Sequence, residues 1–214
     1  MNGVRIGIIA SLLLCVWLVW PKGETATPPR PLLIKSALKD AKDPIIVLGD
    51  SIARQTPLPR TLCNRPVVNA GIDGSSTSSG LDGMLKKALG SKQAALIVVS
   101  LGMNDAITAD SVETYKRNYQ ALLAGLKTMS SRLALATITG LETGKEVGPR
   151  KAQTIDGYNA AIPEIARGVG ASVIAIPPMP AGFTSDGVHL SESGTALWSK
   201  AISDGIIASL CPNG

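Results

Sequence analysis

The stretch that decides the fold is residues 45–51, IIVLGDS, in which four aliphatic residues run directly into Gly-Asp-Ser. A short apolar run bounded by turn residues is typical of a strand buried on both faces of a parallel sheet. The same form recurs four times along the chain, at residues 66–71 (PVVNAG), 95–102 (ALIVVSLG), 133–138 and 172–176. The pattern therefore predicts five parallel strands.

Amphipathic stretches with helical spacing separate these strands. Within residues 110–130 the apolar side chains fall at steps of three or four, and residues 191–210 open with Ser191, a plausible helix cap. Alternating strands and helices indicate a parallel sheet covered by helices on both faces. We therefore expect an α/β fold, a three-layer α/β/α sandwich around a five-stranded parallel sheet.

The N-terminal segment has a different composition. Residues 6–20 form an uninterrupted apolar run after Arg5, and as a helix they would extend roughly 22 Å, short of a ~30 Å hydrocarbon core. This length fits a signal peptide. Glu24 occupies a position that a cleavage site would fill with a small residue, so an uncleaved membrane anchor over residues 4–21 stays open.

The sequence thus divides into three parts: a signal peptide or membrane anchor at residues 1–21, a linker at 22–31, and one folded domain at 32–214. Three prolines disfavour helix in the linker. Such a leader predicts export, to a periplasmic or extracellular location.

Composition argues against several functional classes. The formal net charge is +5, but the lysines and arginines form no cluster of the kind that nucleic-acid grooves need. The first strand is followed by neither a Gly-x-Gly-x-x-Gly motif nor a P-loop, which argues against nucleotide or flavin binding. We expect no cofactor, no metal and no nucleic-acid partner.

Two cysteines lie beyond the leader, Cys63 and Cys211. An even pair in an oxidising compartment is a disulfide candidate, and the alternative is two free buried thiols. The last predicted helix runs back toward the amino ends of the strands, where Cys63 precedes the second strand. This topology favours the disulfide.

Four polar clusters lie where predicted strands end or where the last helix begins, at residues 49–51, 69–71, 102–105 and 186–189. We expect these clusters to converge at one edge of the sheet. Acyl transfer needs a nucleophile, a base, a group that orients the base, and donors for the oxyanion. Ser51 follows the first strand on a tight turn, and His189 is the only histidine of the chain. Asp186 lies three residues before it and can orient its ring. We predict that the backbone N–H groups of Ser51 and Gly71 and the side-chain amide of Asn104 hold the oxyanion.

The ordered set Gly-Asp-Ser at residues 49–51, Gly71, Gly-x-Asn-Asp at 102–105 and Asp-x-x-His at 186–189 resembles the SGNH (GDSL) hydrolase family. The resemblance covers nearly the whole domain and departs in one place, since Ile52 stands where the family has Leu. It implies a flavodoxin-like sandwich and metal-free hydrolysis of esters or thioesters. It also implies that Ser51, Gly71, Asn104 and His189 take the family's four named positions.

Three functions follow as expectations. The first is an exported serine esterase that hydrolyses carboxylic esters, with O-acetyl groups on envelope or extracellular polysaccharide as substrate. The second is a lysophospholipase or thioesterase that acts on acyl chains, favoured by the aliphatic composition and the membrane tether. The third belongs to another class, a non-catalytic binding module on the same scaffold.

Overall fold

The structure is a computed structural model that describes residues 29–108, 111–142 and 149–212. Its strands are β1 (Ile45–Gly49), β2 (Thr61–Leu62), β3 (Arg65–Gly71), β4 (Leu96–Ser100), β5 (Leu133–Ala136) and β6 (Ser172–Ile174). Its helices are α1 (Arg30–Lys39), α2 (Ser51–Gln55), α3 (Leu81–Leu89), α4 (Met103–Ile107), α5 (Val112–Leu126), α6 (Pro149–Val169) and α7 (Glu192–Leu210). The leader predicted at 1–21 and most of the linker at 22–31 lie outside the described residues.

The six strands form one sheet in the order β2-β3-β1-β4-β5-β6. β1 is parallel to both of its neighbours, with Gly49 opposite Gly71 on β3 and opposite Ser100 on β4. Without β2, the order is that of flavodoxin-like folds, in which sites gather where the strand order reverses, here between β1 and β4. The predicted sandwich is confirmed.

The predicted strand count of five was one short. β2 is a two-residue strand that pairs antiparallel with β3 through Leu62 and Arg65. Cys63 and Asn64 connect the two strands, and both have positive φ, as the central residues of a type I′ hairpin turn do. A strand this short shows no alternation of apolar and polar residues, which is why the sequence pattern missed it.

Helices cover both faces of the sheet. α1 packs against α3, α3 against α5, and α5 against α6, which makes one helical layer. α7 packs on β4, β5 and β6, and α2 lies on β1 and β3. The right-handed crossover from β1 to β3 places α2 on one face of the sheet, and the crossovers that run from β3 toward β6 place α3, α5 and α6 on the other. α7 follows β6 and lies on the α2 side, where Ser199 donates to the carbonyl of Pro57.

The core is aliphatic, as the composition suggested, apart from a few aromatic side chains: Trp198 of α7, Phe183, and three tyrosines of the helical layer. Tyr115 stacks on Tyr158 with ring centroids 3.9 Å apart, and the edge of Tyr119 meets Tyr115. The tyrosine hydroxyls of α5 remain paired: Tyr115 donates to the carbonyl of Leu101, and Tyr119 to that of Val99. None of the helices in the described part of the chain combines the length and hydropathy needed to cross a membrane.

A disulfide ties the C-terminal end of α7 to the sheet. Cys63, in the β2–β3 turn, forms a disulfide with Cys211, which follows α7. At the other end, α1 begins at Arg30, within the last two residues of the predicted linker. Pro31 suits this start because proline fits the first turn of a helix, where no N–H is required.

Candidate active site

The sharp turn after β1 presents the hydroxyl of Ser51. A side chain at Gly49 would meet the Cβ of Ala53 at 2.6 Å, so only glycine lets α2 fold back this closely. Asp50 caps α2 by accepting the N–H of Ile52 at 2.9 Å. Ser51 is the first residue of the helix, and its N–H is one of the amides that a first turn leaves without an intrahelical partner.

His189 and Asp186 complete a line of hydrogen bonds to Ser51. Ser51 Oγ lies 3.0 Å from His189 Nε2, and His189 Nδ1 lies 2.7 Å from Asp186 Oδ2. The other oxygen of Asp186 accepts the backbone N–H groups of Val188 and His189, at 2.9 and 2.7 Å. His189 therefore contacts Ser51, and Asp186 contacts His189, as sequence analysis expected, although Ser51 and His189 are 138 positions apart in the sequence.

The charge of Asp186 determines the tautomer of His189. The hydrogen bond from the His189 side chain, with those from the backbone of Val188 and His189, lowers the pKa of Asp186 to about 2. An ionised carboxylate only accepts hydrogen bonds, so the hydrogen between the two residues belongs to Nδ1. Nε2 is then free to accept the proton of the Ser51 hydroxyl, as a general base does.

Asp50, next to Ser51, lies in an environment whose effect on the carboxyl pKa is opposite to that at Asp186. Burial raises the pKa of its carboxyl to about 6, although backbone N–H groups, including those of Ile52 and Ala53, lower it. Its side chain faces inward from the turn, whereas that of Asp186 is more than half exposed. Asp50 is therefore a buried helix cap, and Asp186 is the carboxylate that pairs with the imidazole.

Asn104 comes from the next strand of the sheet, in the turn after β4. Gly102, with a φ of 135°, makes this turn possible, because a side chain there would collide with Ile138. The amide nitrogen of Asn104 donates one hydrogen to the carbonyl of Ser75, at 2.8 Å. An amide nitrogen carries two hydrogens, so one remains available to a substrate.

Gly71 does not offer the backbone donor that the sequence suggested. Its N–H donates to Oδ1 of Asn69 at 3.0 Å, and its Cα faces the backbone of Arg54 on α2 so closely that no side chain fits. Asn69 also donates to the carbonyls of Ala53 and Thr56, which ties β3 to α2. Gly71 is thus a close-packing glycine, and its amide is already used by Asn69.

Gly74, three residues further on, has the properties expected of Gly71. It has a φ of 70°, and a Cβ there would meet open space. Among the described residues, no acceptor bonds its N–H. It directly precedes Ser75, whose carbonyl holds Asn104. Sequence analysis overlooked Gly74 in the Gly/Ser-rich loop, and its positive φ was the signal that sequence alone did not reveal.

The loop that carries Gly74, residues 72–80, is fixed at both ends. At its start Asp73 pairs with Arg54, one helical turn after Ser51. Near its end the N–H and the hydroxyl of Thr77 both donate to the carboxylate of Asp105, which is fully buried. Asp105 therefore fixes this loop.

A network around Glu142 holds the turn that carries Asp186 and His189. The Glu142 carboxylate accepts the N–H of Gly182 at 2.5 Å and the hydroxyl of Thr184 at 2.5 Å. The oxygen of that hydroxyl accepts the N–H of Gly187 at 3.1 Å, and the N–H of Glu142 donates to the carbonyl of Gly187. Nothing in the sequence marked Glu142, because its partners are 40 or more residues away.

A cavity of about 430 Å³ lies at the same edge of the sheet, between the segment after β5, helix α6 and the segment after β6. Met179 and Phe183, which precede Asp186, line one wall. Thr139, Asp156 and Asn159 add polar groups to the lining. Within the described part of the chain, no cluster of three or more His, Cys, Asp or Glu side chains could hold a metal ion.

Comparison with known proteins agrees with this geometry. A model of the GDSL-like lipase/acylhydrolase family matches residues 47–197, which include Ser51, Asn104, Asp186 and His189. The chain belongs to this family. It is accordingly a hydrolase of ester bonds, and no curated protein matches its sequence.

Solved structures share the fold of this family member. A Streptococcus pneumonia protein named for platelet activating factor superposes with a TM-score of 0.69 at 22% identity, covering 94% of this chain and 100% of its own. A lipase/acylhydrolase from Enterococcus faecalis gives 0.64 at 22%, covering 81% and 100%. Axe2, an acetylxylan esterase from Geobacillus stearothermophilus, gives 0.58 at 17%, covering 80% and 95%.

The buried cap Asp50 makes the stability of this acylhydrolase depend on pH. Its pKa is about 6 in the folded chain against 3.8 for an ordinary Asp, so its contribution is complete below about pH 4 and is lost as pH rises through 6. An asparagine at this position would cap α2 without ionising. We expect the Asp50→Asn variant to gain about 2.4 kcal/mol relative to wild type between pH 4 and pH 8. Urea unfolding across this range measures the difference.

Asp40→Asn, the same change at an exposed carboxylate, is the control for Asp50→Asn. A gain that stays constant between pH 4 and pH 8 contradicts the assignment of Asp50 as a buried acid.

Glu142 should affect turnover although it does not contact Ser51. In Glu142→Gln, the amide NH₂ replaces one acceptor oxygen, so either Gly182 or Thr184 loses its partner. We expect kcat for a soluble p-nitrophenyl ester to fall about 10- to 100-fold, with KM nearly unchanged, because the imidazole is misplaced. Glu113→Gln, at an exposed glutamate of α5, is the matched control. Wild-type kcat in correctly folded Glu142→Gln protein would refute this role.

Proposed function

We propose that the chain is an exported serine esterase that removes O-acetyl groups from envelope or extracellular carbohydrate, with Ser51, His189 and Asp186 as its catalytic triad. The observation that carries the proposal is the continuous line of hydrogen bonds from Ser51 Oγ through the His189 ring to Asp186. A nucleophile and base in contact, with the base oriented by a third group, are the signature of acyl transfer.

In the proposed reaction, His189 Nε2 takes the proton of Ser51 as Oγ attacks the ester carbonyl carbon. Asp186, ionised throughout, stabilises the imidazolium and keeps Nδ1 protonated. The tetrahedral intermediate collapses when His189 returns the proton to the alcohol oxygen, which breaks the ester bond and releases the sugar hydroxyl. A water molecule then attacks the acyl-serine by the same route, yielding acetate and free Ser51.

Three donors are available for the oxyanion. They are the N–H of Ser51 at the start of α2, the second hydrogen of the Asn104 amide, and the N–H of Gly74, which replaces Gly71 in this role. Donors fixed before the reaction stabilise the developing charge without reorganisation. The contacts of Asp73, Ser75 and Thr77 described above supply that rigidity, because they fix the loop on either side of Gly74.

Two observations support a small acyl group on a polar leaving group. The cavity beside the site carries Thr139, Asp156 and Asn159 among its apolar side chains, a lining that suits hydroxyl groups better than an extended acyl chain. One structural neighbour, Axe2, is named as an acetylxylan esterase. Export rests on the apolar leader of the sequence.

Ser51→Ala tests the triad. The variant should lose at least about 10⁴-fold in kcat, because the attacking oxygen is gone and only oxyanion stabilisation remains. A fluorophosphonate probe should label wild type and should not label Ser51→Ala. Ser203→Ala, which removes a hydroxyl that donates within α7, is the matched control. Labelling that survives in Ser51→Ala would place the nucleophile elsewhere, and no labelling of well-folded wild type would favour the binding module.

A substrate series tests the acyl group. On p-nitrophenyl esters, kcat/KM should decline steadily from acetate to dodecanoate, and the enzyme should release acetate from acetylated xylan or acetylated envelope glycan. Rising kcat/KM with chain length, together with no acetate from the glycans, would instead identify a lysophospholipase or thioesterase.

A further inference from the structure

The chain enters the domain at the edge that carries the active site. Arg30, the first residue of α1, donates from Nε to the carbonyl of Gly71 at 3.0 Å and from Nη2 to the carbonyl of Asn69 at 2.7 Å. Both carbonyls lie at the carboxyl end of β3, next to the end of β1 where Ser51 follows. The residues that precede α1 therefore join the domain at this edge and not at the opposite one.

The same region exposes apolar side chains. The first turn of α1 leaves Leu32 56% and Leu33 38% exposed, while Ile34 and Leu38 face the core. α3 packs against α1 and starts after the loop that follows β3, so its first turn also lies at the active-site edge. A groove of about 420 Å³ separates the two helices. We call this surface the α1–α3 face; its groove is lined by Pro31, Leu32, Lys35, Gly80, Gly83, Met84, Lys87 and Ala88.

The charge of the α1–α3 face is positive. Lys35 and Lys87 line the groove, and Lys86 is exposed on the same helix as Lys87. The acidic residue of α3, Asp82, packs against Gly125 of α5 and so points away from the groove. Exposed leucines flanked by lysines are what a surface needs to rest on anionic lipid, because the leucines enter the boundary of the acyl chains while the lysines meet headgroups.

The sequence before α1 suggests what kind of surface the α1–α3 face docks on. The apolar run at residues 6–20 ends with Trp17 and Trp20, and tryptophan is enriched where membrane meets water. Arg5 and Lys22 flank the run and can extend to the headgroups, which compensates for its short length. The nine residues from 21 to 29 span at most about 30 Å. A bilayer holding this run therefore lies within one domain diameter of the α1–α3 face.

We propose that residues 6–20 remain in a membrane and that the α1–α3 face docks on the anionic headgroups of that membrane. The edge that carries Ser51 is then held at the bilayer surface. The ester substrates of this orientation are those that lie at the surface, either on membrane-attached glycan or on the lipids themselves. Docking does not depend on the proposed esterase chemistry, so it can be measured without a substrate.

The experiment places an environment-sensitive fluorophore on the full chain at Leu32→Cys, an exposed position that lines the groove, and, as the matched control, at Ile207→Cys. Ile207 is an exposed apolar residue near the end of α7, at the opposite edge of the sheet. Both carry Cys15→Ser, and the disulfide keeps Cys63 and Cys211 from reacting. The proteins are reconstituted into vesicles of phosphatidylethanolamine and phosphatidylglycerol that contain a nitroxide-labelled lipid.

We expect the label at position 32 to shift to the blue and to be quenched by the nitroxide lipid, and the label at 207 to do neither. Replacing Lys35 or Lys87 with Gln should lower the ratio of docked to undocked chains about fivefold each, since each lysine contributes about 1 kcal/mol at an anionic surface. Vesicles of phosphatidylcholine alone should weaken quenching in the same way.

Three results would overturn the proposal. Equal emission and quenching at positions 32 and 207 would show a domain that moves freely on its tether. A blue shift at 32 without lipid quenching would show that the face is covered by a second copy or by the leader of the chain itself. Intact mass showing that an exporting cell removes residues 1–20 would eliminate the anchor, whatever the esterase assays show.

Discussion

The parallel pairing of β1 with β3 on one side and β4 on the other is the constraint on which the site depends. The hydrogen-bond register aligns Gly49 with Gly71 and with Ser100, so the turns after all three strands leave the sheet at the same level. Ser51, Gly74 and Asn104 come from those three turns. A slip of one residue in either pairing would move a donor by about 3.3 Å, more than a hydrogen bond tolerates.

The sheet positions Ser51, Gly74 and Asn104, but His189 comes from a segment that is not part of any strand. Asp186 and His189 lie in a turn closed by hydrogen bonds from Ser185 to the carbonyl of His189 and by the isolated bridge of Thr184 with Leu190. Glu142 attaches this turn to the segment after β5. The imidazole is therefore positioned by contacts within its own turn and by one side chain, Glu142, whose partners are 40 or more residues away in the sequence.

This difference explains what could be predicted from the sequence. Strand ends, the order of motifs and the identities of Ser51, Asn104, Asp186 and His189 follow from local patterns and from the requirements of acyl transfer. Gly71 was wrong because a glycine needed for close packing and a glycine needed for a free amide look the same in a sequence. β2, which pairs through only two residues, and Glu142 depend on contacts that no local pattern encodes.

Two carboxylates near one serine show how the fold assigns different tasks to the same chemical group. Asp186 is exposed to water and receives hydrogen bonds, so it carries its charge at little cost and can stabilise a positive imidazole. Asp50 is buried, and ionising it costs free energy that the backbone donors of α2 only partly return. The same chemical group therefore carries a charge beside the imidazole at Asp186 and caps α2 as a buried acid at Asp50.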